Sequence, residues 1–261
     1  MDYSEISESR STKSYERRIR LTLYIITVFA FCLLEYHKLQ DYLDEAGYQI
    51  SMIESVYMIV ACGANLPYTS IAFLLLLENC YKSQLFTNRE KVTAQLLTSF
   101  CAGLFAGICV LLFSLILAMV AGTKWSSEWT EPILINEGII SETVVPKLIY
   151  TTFSPVQGLL VSVTILILFW VAQGCALITF KEAHLYHLGV TMLFYLLFWN
   201  SIHLLNPLGL VPNWFFSLKS IIANTKTKDI LAYIINAATI DLVVIIGSVI
   251  CNVAREHYCH K

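Results

Sequence analysis

The sequence predicts an all-α, polytopic membrane protein. It predicts six transmembrane helices, both termini on the cytoplasmic side, and short re-entrant or interfacial helices in the outer segments. Three observations carry this. Hydrophobic residues make up 57% of the 261 positions and charged residues only 14%, well under the roughly 25% of soluble domains. Mean hydropathy is +0.65. Six apolar runs approach or exceed the roughly 17–25 residues that cross a bilayer as a helix.

The runs follow in order. The first, Leu21–Tyr36, is short and extends toward Leu39 if Arg20 snorkels to the interface. The second, Met52–Leu77, holds Gly63 and Pro67, which predict a kink or a broken helix. The third is Val92–Ala121 and the fourth Val156–Phe180. The fifth is Leu188–Leu205 and the sixth Ile230–Val253. A polar segment, 1–20, precedes this block of 21–253, and a tail, 254–261, follows it. The first apolar run has no small-residue cleavage site after it, so it reads as a retained anchor.

Six crossings place both termini on one side. With the N-terminus inside, eleven Lys and Arg fall on inner segments and six Lys on outer ones, and all six Arg are inside. The positive-inside rule then makes the termini cytoplasmic. Trp125, Trp129 and Trp214 fall in outer segments near membrane ends, as interfacial anchors do. The eight Cys lie mostly in apolar runs without CxxC spacing, which disfavours zinc or redox chemistry. A net charge of −2 gives no footprint for nucleic acid.

Motifs for soluble chemistry are missing. There is no GxxxxGK[ST], HExxH or GxSxG, so a P-loop, a zincin and a serine hydrolase elbow lack support. Glu182, His184 and His187 read as interfacial polar residues rather than a metal set. The tail donors His257, Cys259 and His260 sit on a free end and make a poor closed site. The chain therefore reads as having no intrinsic catalysis, no metal and no cofactor of its own. Asp241 is the acid well inside a span, in "TIDLVV". Such a group either lines a polar path or makes a structural hydrogen bond. Asn200, His203 and Asn206 form a polar run near the outer end of span five, either facing a vestibule or capping the helix. Ser99, Gly103 and Gly107 repeat every four residues in "SFCAGLFAG". They define a small-residue face for close helix packing, within the chain or with a second copy.

The layout resembles the membrane subunit of ABC-2 type exporters of the bacterial plasma membrane. The matching parts are "SYERRIR" before span one, the inner loop "ENCYKSQLFTNREK", the short inner loop "KEAHLYH" and "NPLGLVPNWFFSLKSI" between spans five and six. The resemblance implies a permease powered by a separate cytoplasmic ABC ATPase, which binds the ATP and Mg. It implies pairing with a second copy or a related permease, and export of a peptide, a lipid-like molecule or a toxic amphiphile. It also implies that the first inner loop docks the ATPase. There Lys82, Arg89, Glu90 and Lys91 offer rim charges and Tyr81, Leu85 and Phe86 apolar anchors. Asp241, Asn200 and His203 are candidates for the path. Two other classes fit a polytopic chain: a membrane enzyme acting on peptides or lipids, and an immunity protein that binds without transporting.

Overall fold

Six helices of ten residues or more stand among the described residues. A computed structural model describes residues 3–61, 66–80, 88–130, 151–192 and 230–259. The helices are α1 (Tyr3–Ala46), α2 (Met52–Ala61), α3 (Leu66–Cys80), α4 (Asn88–Val120), α5 (Pro155–Glu182) and α6 (Ile230–Cys259). Residues 186–192 are also helical. No strand occurs among the described residues. Three stretches are long and apolar enough to cross a membrane: Tyr15–Glu45, Val92–Val120 and Pro155–Glu182. Two shorter apolar stretches, Thr69–Cys80 and Asp241–Ala254, join them.

α1 is longer than the apolar run alone suggests, and it continues unbroken through the expected boundary after Arg20. No Gly or Pro interrupts it before Gly47. That glycine takes a left-handed φ of 67°, and Tyr48 N–H donates to Leu43 C=O at 2.9 Å to close the helix end. Gly122, with φ 70°, ends α4 in the same way. The expected second span is two helices, α2 and α3. The sequence between them, which includes Gly63, lies outside the described residues. Pro67 occupies the second position of α3, where its missing N–H leaves no helical bond unmade.

Both α2 and α5 start on a capping box. Ser51 N–H donates to Glu54 Oε2 at 2.6 Å, and Glu54 N–H donates to Ser51 Oγ at 3.3 Å. Ser154 and Gln157 repeat the pattern ahead of α5, with Pro155 in its first turn. Each box satisfies donors that a helix start leaves open.

α5 is the centre of the bundle. It packs on α4 and on α6, α2 packs against both α4 and α5, and α1 lies over α3 and α4. α2 is buried on every side from Ile53 to Val60. The sorting of side chains is inverted relative to a soluble bundle. α4 turns Gln95, Ser99, Ala102, Ala106 and Ser114 inward and Leu97, Phe100, Leu104, Ile108, Leu112 and Ile116 outward. α6 does the same, with Asp241, Ser248 and Asn252 buried and Leu242, Val243, Ile246 and Ile250 exposed. Large apolar side chains outside and polar ones inside suit a solvent of hydrocarbon.

Candidate functional site

The polar interior forms three groups strung along α5. One end of the bundle carries Glu54 and the other Glu78, and these names are used below for the two ends.

At the Glu54 end the segment after α4 folds back over the start of α2. Met52 N–H donates to Lys124 C=O at 2.8 Å. Glu54 is fully buried. Its Oε1 accepts from Thr130 N–H, and its Oε2 accepts from Ser51. Both carboxylate oxygens are thus occupied by backbone donors, which is what holds a buried charge. Trp129 stands edge-on to Tyr57, with ring centroids 5.5 Å apart, and its indole N–H donates to Phe153 C=O at 2.7 Å. Trp129 thereby closes the bundle over Tyr57. Beside this closure lies a cavity of about 490 Å³ lined by Gln40, Asp44, Tyr48, Ser51, Lys124 and Trp125, among others.

At the Glu78 end, Arg20 Nη1 lies 3.1 Å from Glu78 Oε2, and the Tyr186 hydroxyl donates to Glu78 Oε1 at 3.0 Å. Asn79 Nδ2 donates to Arg17 C=O at 2.8 Å. One carboxylate therefore joins α1, α3 and the start of 186–192. Burial and the Glu78 charge push the Tyr186 phenol above its ordinary range, so it remains a donor to Glu78 at neutral pH. Lys181 sits 5.7 Å from the centre of the Tyr186 ring. His184 turns the chain between α5 and this segment with a left-handed φ of 59°.

Between the ends, α5 presents two unlike faces. Toward α4 and α6, Gln95 Nε2 donates to Cys175 C=O at 2.7 Å and to Thr179 Oγ1 at 2.8 Å. Asn252 Nδ2 donates to Gln95 Oε1 at 2.6 Å. Ser99, Gly103 and Gly107 line this interface and face α5. A Cβ on Gly103 would stand 2.9 Å from Val171 Cγ2 and 3.1 Å from Val171 N, and one on Gly107 would collide with Ile167. A Cβ on Gly174 would stand 3.0 Å from Ser99 Oγ. This face of α4 is therefore filled by α5, and a second copy would have to use another one.

Toward α2 and α3 the polar groups are mostly unmet. Gln173 Nε2 donates to Ser70 C=O at 3.0 Å. Gln173 Oε1, Ser70 Oγ and Trp170 Nε1 are buried with no partner among the described residues. Tyr57 lies beside Ser162, and Trp170 stacks on Phe73 at 6.3 Å.

Asp241 is buried on the inward face of α6 that also carries Ser248 and Asn252, and its Oδ2 has no partner among the described residues. Asn200 and His203 lie outside the described residues, as do Tyr81, Lys82, Leu85 and Phe86. Arg89, Glu90 and Lys91 fall in the first turn of α4. Among the described residues, no three His, Cys, Asp or Glu side chains converge as a metal set. The sequence reading passed over Glu54, Gln95, Gln173 and Asn252. The one advance sign of Glu54 was the Ser51–Glu54 capping spacing. The others showed only as amides inside apolar runs.

No family model, no curated protein and no solved structure matches the chain.

Proposed function

We propose that this chain is the permease subunit of an ATP-driven exporter in a bacterial plasma membrane. In this reading it crosses the membrane six times with both termini in the cytoplasm and pairs with a second permease. One observation carries the transport reading: an apolar exterior surrounds an interior that holds buried polar side chains on α4, α5 and α6, with Trp129 at one end and the Arg20–Glu78–Tyr186 cluster at the other. Buried polar side chains cost free energy in a membrane bundle and are kept where they line a path or hold a switch. In this reading the chain stands in an occluded state of such a path, and opening requires parting one of the two closures.

The Glu78 end is assigned to the cytoplasm, because Arg17, Arg18, Arg20 and Lys181 gather there while Lys38 and Lys124 lie at the other end. The chain carries no P-loop, so hydrolysis of ATP falls to a separate subunit. The segment 81–91, which follows α3 and runs into the first turn of α4, is the proposed docking segment. Cargo is a peptide, a lipid-like molecule or a toxic amphiphile.

A mild-detergent pull-down of the tagged protein from its host tests this. A P-loop ATPase is expected in near-stoichiometric amount. Arg89→Glu combined with Lys91→Glu is expected to lower its recovery without lowering membrane insertion. Intact protein that brings down no ATPase overturns the reading.

A further inference from the structure

We propose that the cavity at the Glu54 end binds a zwitterionic head group, one that carries an ammonium and a phosphate a few atoms apart. A phospholipid of the ethanolamine class presents that chemistry from the bilayer, and free phosphoethanolamine presents it from water. The site does not depend on the transport reading.

The cavity has a volume of about 490 Å³, inside the roughly 300–1,000 Å³ of small-ligand sites. Its walls come from the end of α1, the turn 47–51 and the segment that follows α4. Each wall is held from behind. Tyr48 N–H donates to Leu43 C=O, and Met52 N–H donates to Lys124 C=O. Ser51 and Thr130 are both tied to the buried carboxylate of Glu54. A site whose backbone is already fixed has less ordering to impose when a ligand enters.

The charges on the walls select the ligand. Asp44 and Lys124 both line the cavity. Neither side chain has an ion pair or a hydrogen bond among the described residues. Two opposite charges thus share one cavity without neutralising each other. A bare cation gains from Asp44 and is repelled by Lys124, and a bare anion meets the reverse. A ligand with both signs gains from both. Tyr48 and Trp125 are exposed and also line the cavity, and aromatic ring faces attract an ammonium. Gln40 adds a neutral amide for the phosphate oxygens or an ester.

Depth makes a head group the natural visitor. The apolar stretches Tyr15–Glu45 and Val92–Val120 both end at this cavity. Asp44 lies in the last residues of the first stretch, and Lys124 lies just past the second. Tryptophan settles at the head-group level of a bilayer, and Trp125 stands on the cavity wall.

Native mass spectrometry of the full chain in detergent tests this. The protein is titrated with dihexanoyl phosphatidylethanolamine and with dihexanoyl phosphatidylglycerol, which keeps the phosphate and lacks the ammonium. The ethanolamine lipid is expected to bind at least about threefold tighter, the scale of one exposed ion pair. Asp44→Asn is expected to remove that preference. Lys124→Gln is expected to weaken both lipids by a similar factor. Both residues are exposed, so neither change disturbs the core. Equal binding of the two lipids by the parent chain, which needs no substitution, overturns the proposal. So does a preference that survives Asp44→Asn. O-phosphoethanolamine is then added as a competitor. Displacement of the lipid at equal concentration supports the site with a water-borne ligand, and no displacement supports it with a lipid. The ATPase pull-down reports on the opposite end of the bundle, so the two readings fail separately.

Discussion

The two faces of α5 hold similar residues and treat them in opposite ways. Gln95 of α4 and Gln173 of α5 are both amides buried in apolar helices. Gln95 lies against the α4 and α6 side of α5 and has its amide oxygen and amide nitrogen bonded to three residues. Gln173 lies on the α2 and α3 side and makes one bond, to Ser70, with its oxygen unmet. Backbones approach closely on the first side because Gly103, Gly107 and Gly174 leave no Cβ between them. The second side carries Tyr57, Trp170 and Phe73, with Phe73 stacked on Trp170 at 6.3 Å. The first face is bonded across to both α4 and α6, and the second is held by the Gln173–Ser70 bond and the Phe73–Trp170 stack.

Substitutions separate the two faces, and the largest effect belongs to the tight one. Gly103→Val drives a side chain into Val171 and the Ile167 carbonyl. It is expected to destabilise the protein by about 1–3 kcal/mol through overpacking, read as a lower thermal midpoint in detergent. An unchanged midpoint would mean that the α4–α5 contact is looser than described. Gln95→Ala strands Asn252 Nδ2 in the core and removes the bonds to Cys175 and Thr179. The expected loss is again about 1–3 kcal/mol, at the lower end where the helix ends relax. Ser162→Ala on the other face removes a single hydroxyl beside Tyr57. Its stability is expected to stay within roughly 0.5 kcal/mol of the parent, while transport activity falls. A loss as large as that of Gln95→Ala would erase the distinction between the faces.

The smallest effect lies at the Glu78 end. The Arg20–Glu78 pair is partly exposed, so Glu78→Gln is expected to cost no more than about 1 kcal/mol. The pH dependence there has a definite sign. The Tyr186 phenol titrates higher in the folded chain than in the unfolded one. Above pH 10 or so the unfolded chain binds fewer protons than the folded one. Stability contributed by Tyr186 is therefore full below that pH and declines as pH rises through the folded value. Tyr186→Phe is expected to flatten the alkaline limb of a stability–pH curve. An unaltered limb would show that the phenol does not bond Glu78 in solution.

Much of the fold was legible because it depends on local facts. Lipid as solvent follows from composition, and three of the six expected spans stand as helices long and apolar enough to cross a membrane, while most of the fifth, Leu188–Leu205, lies outside the described residues. The ends of α1 and α4 follow from Gly47 and Gly122, since a left-handed residue closes a helix whatever surrounds it. The stripe of Ser99, Gly103 and Gly107 was readable from the helical period. What it packs against was open between α5 and a second copy, because spacing names a face and not its neighbour. The first helix outran its apolar run, since charged residues before Arg20 and after Tyr36 are as compatible with helix as with loop. Where the second span was expected, α2 ends at Ala61 and α3 begins at Leu66, and the residues between them lie outside the described ones.

The sequence by itself determined that α4 and α6 would turn large apolar residues one way and small or polar ones the other, because 3.6 residues per turn sorts side chains before any packing occurs. It did not determine which inward polar groups would find partners. Gln95 and Gln173 look alike along the chain, yet their partners lie on helices 80 or more residues away. Only the tertiary structure, by setting which helices meet, decided that Gln95 bonds through both its amide atoms and Gln173 through its nitrogen.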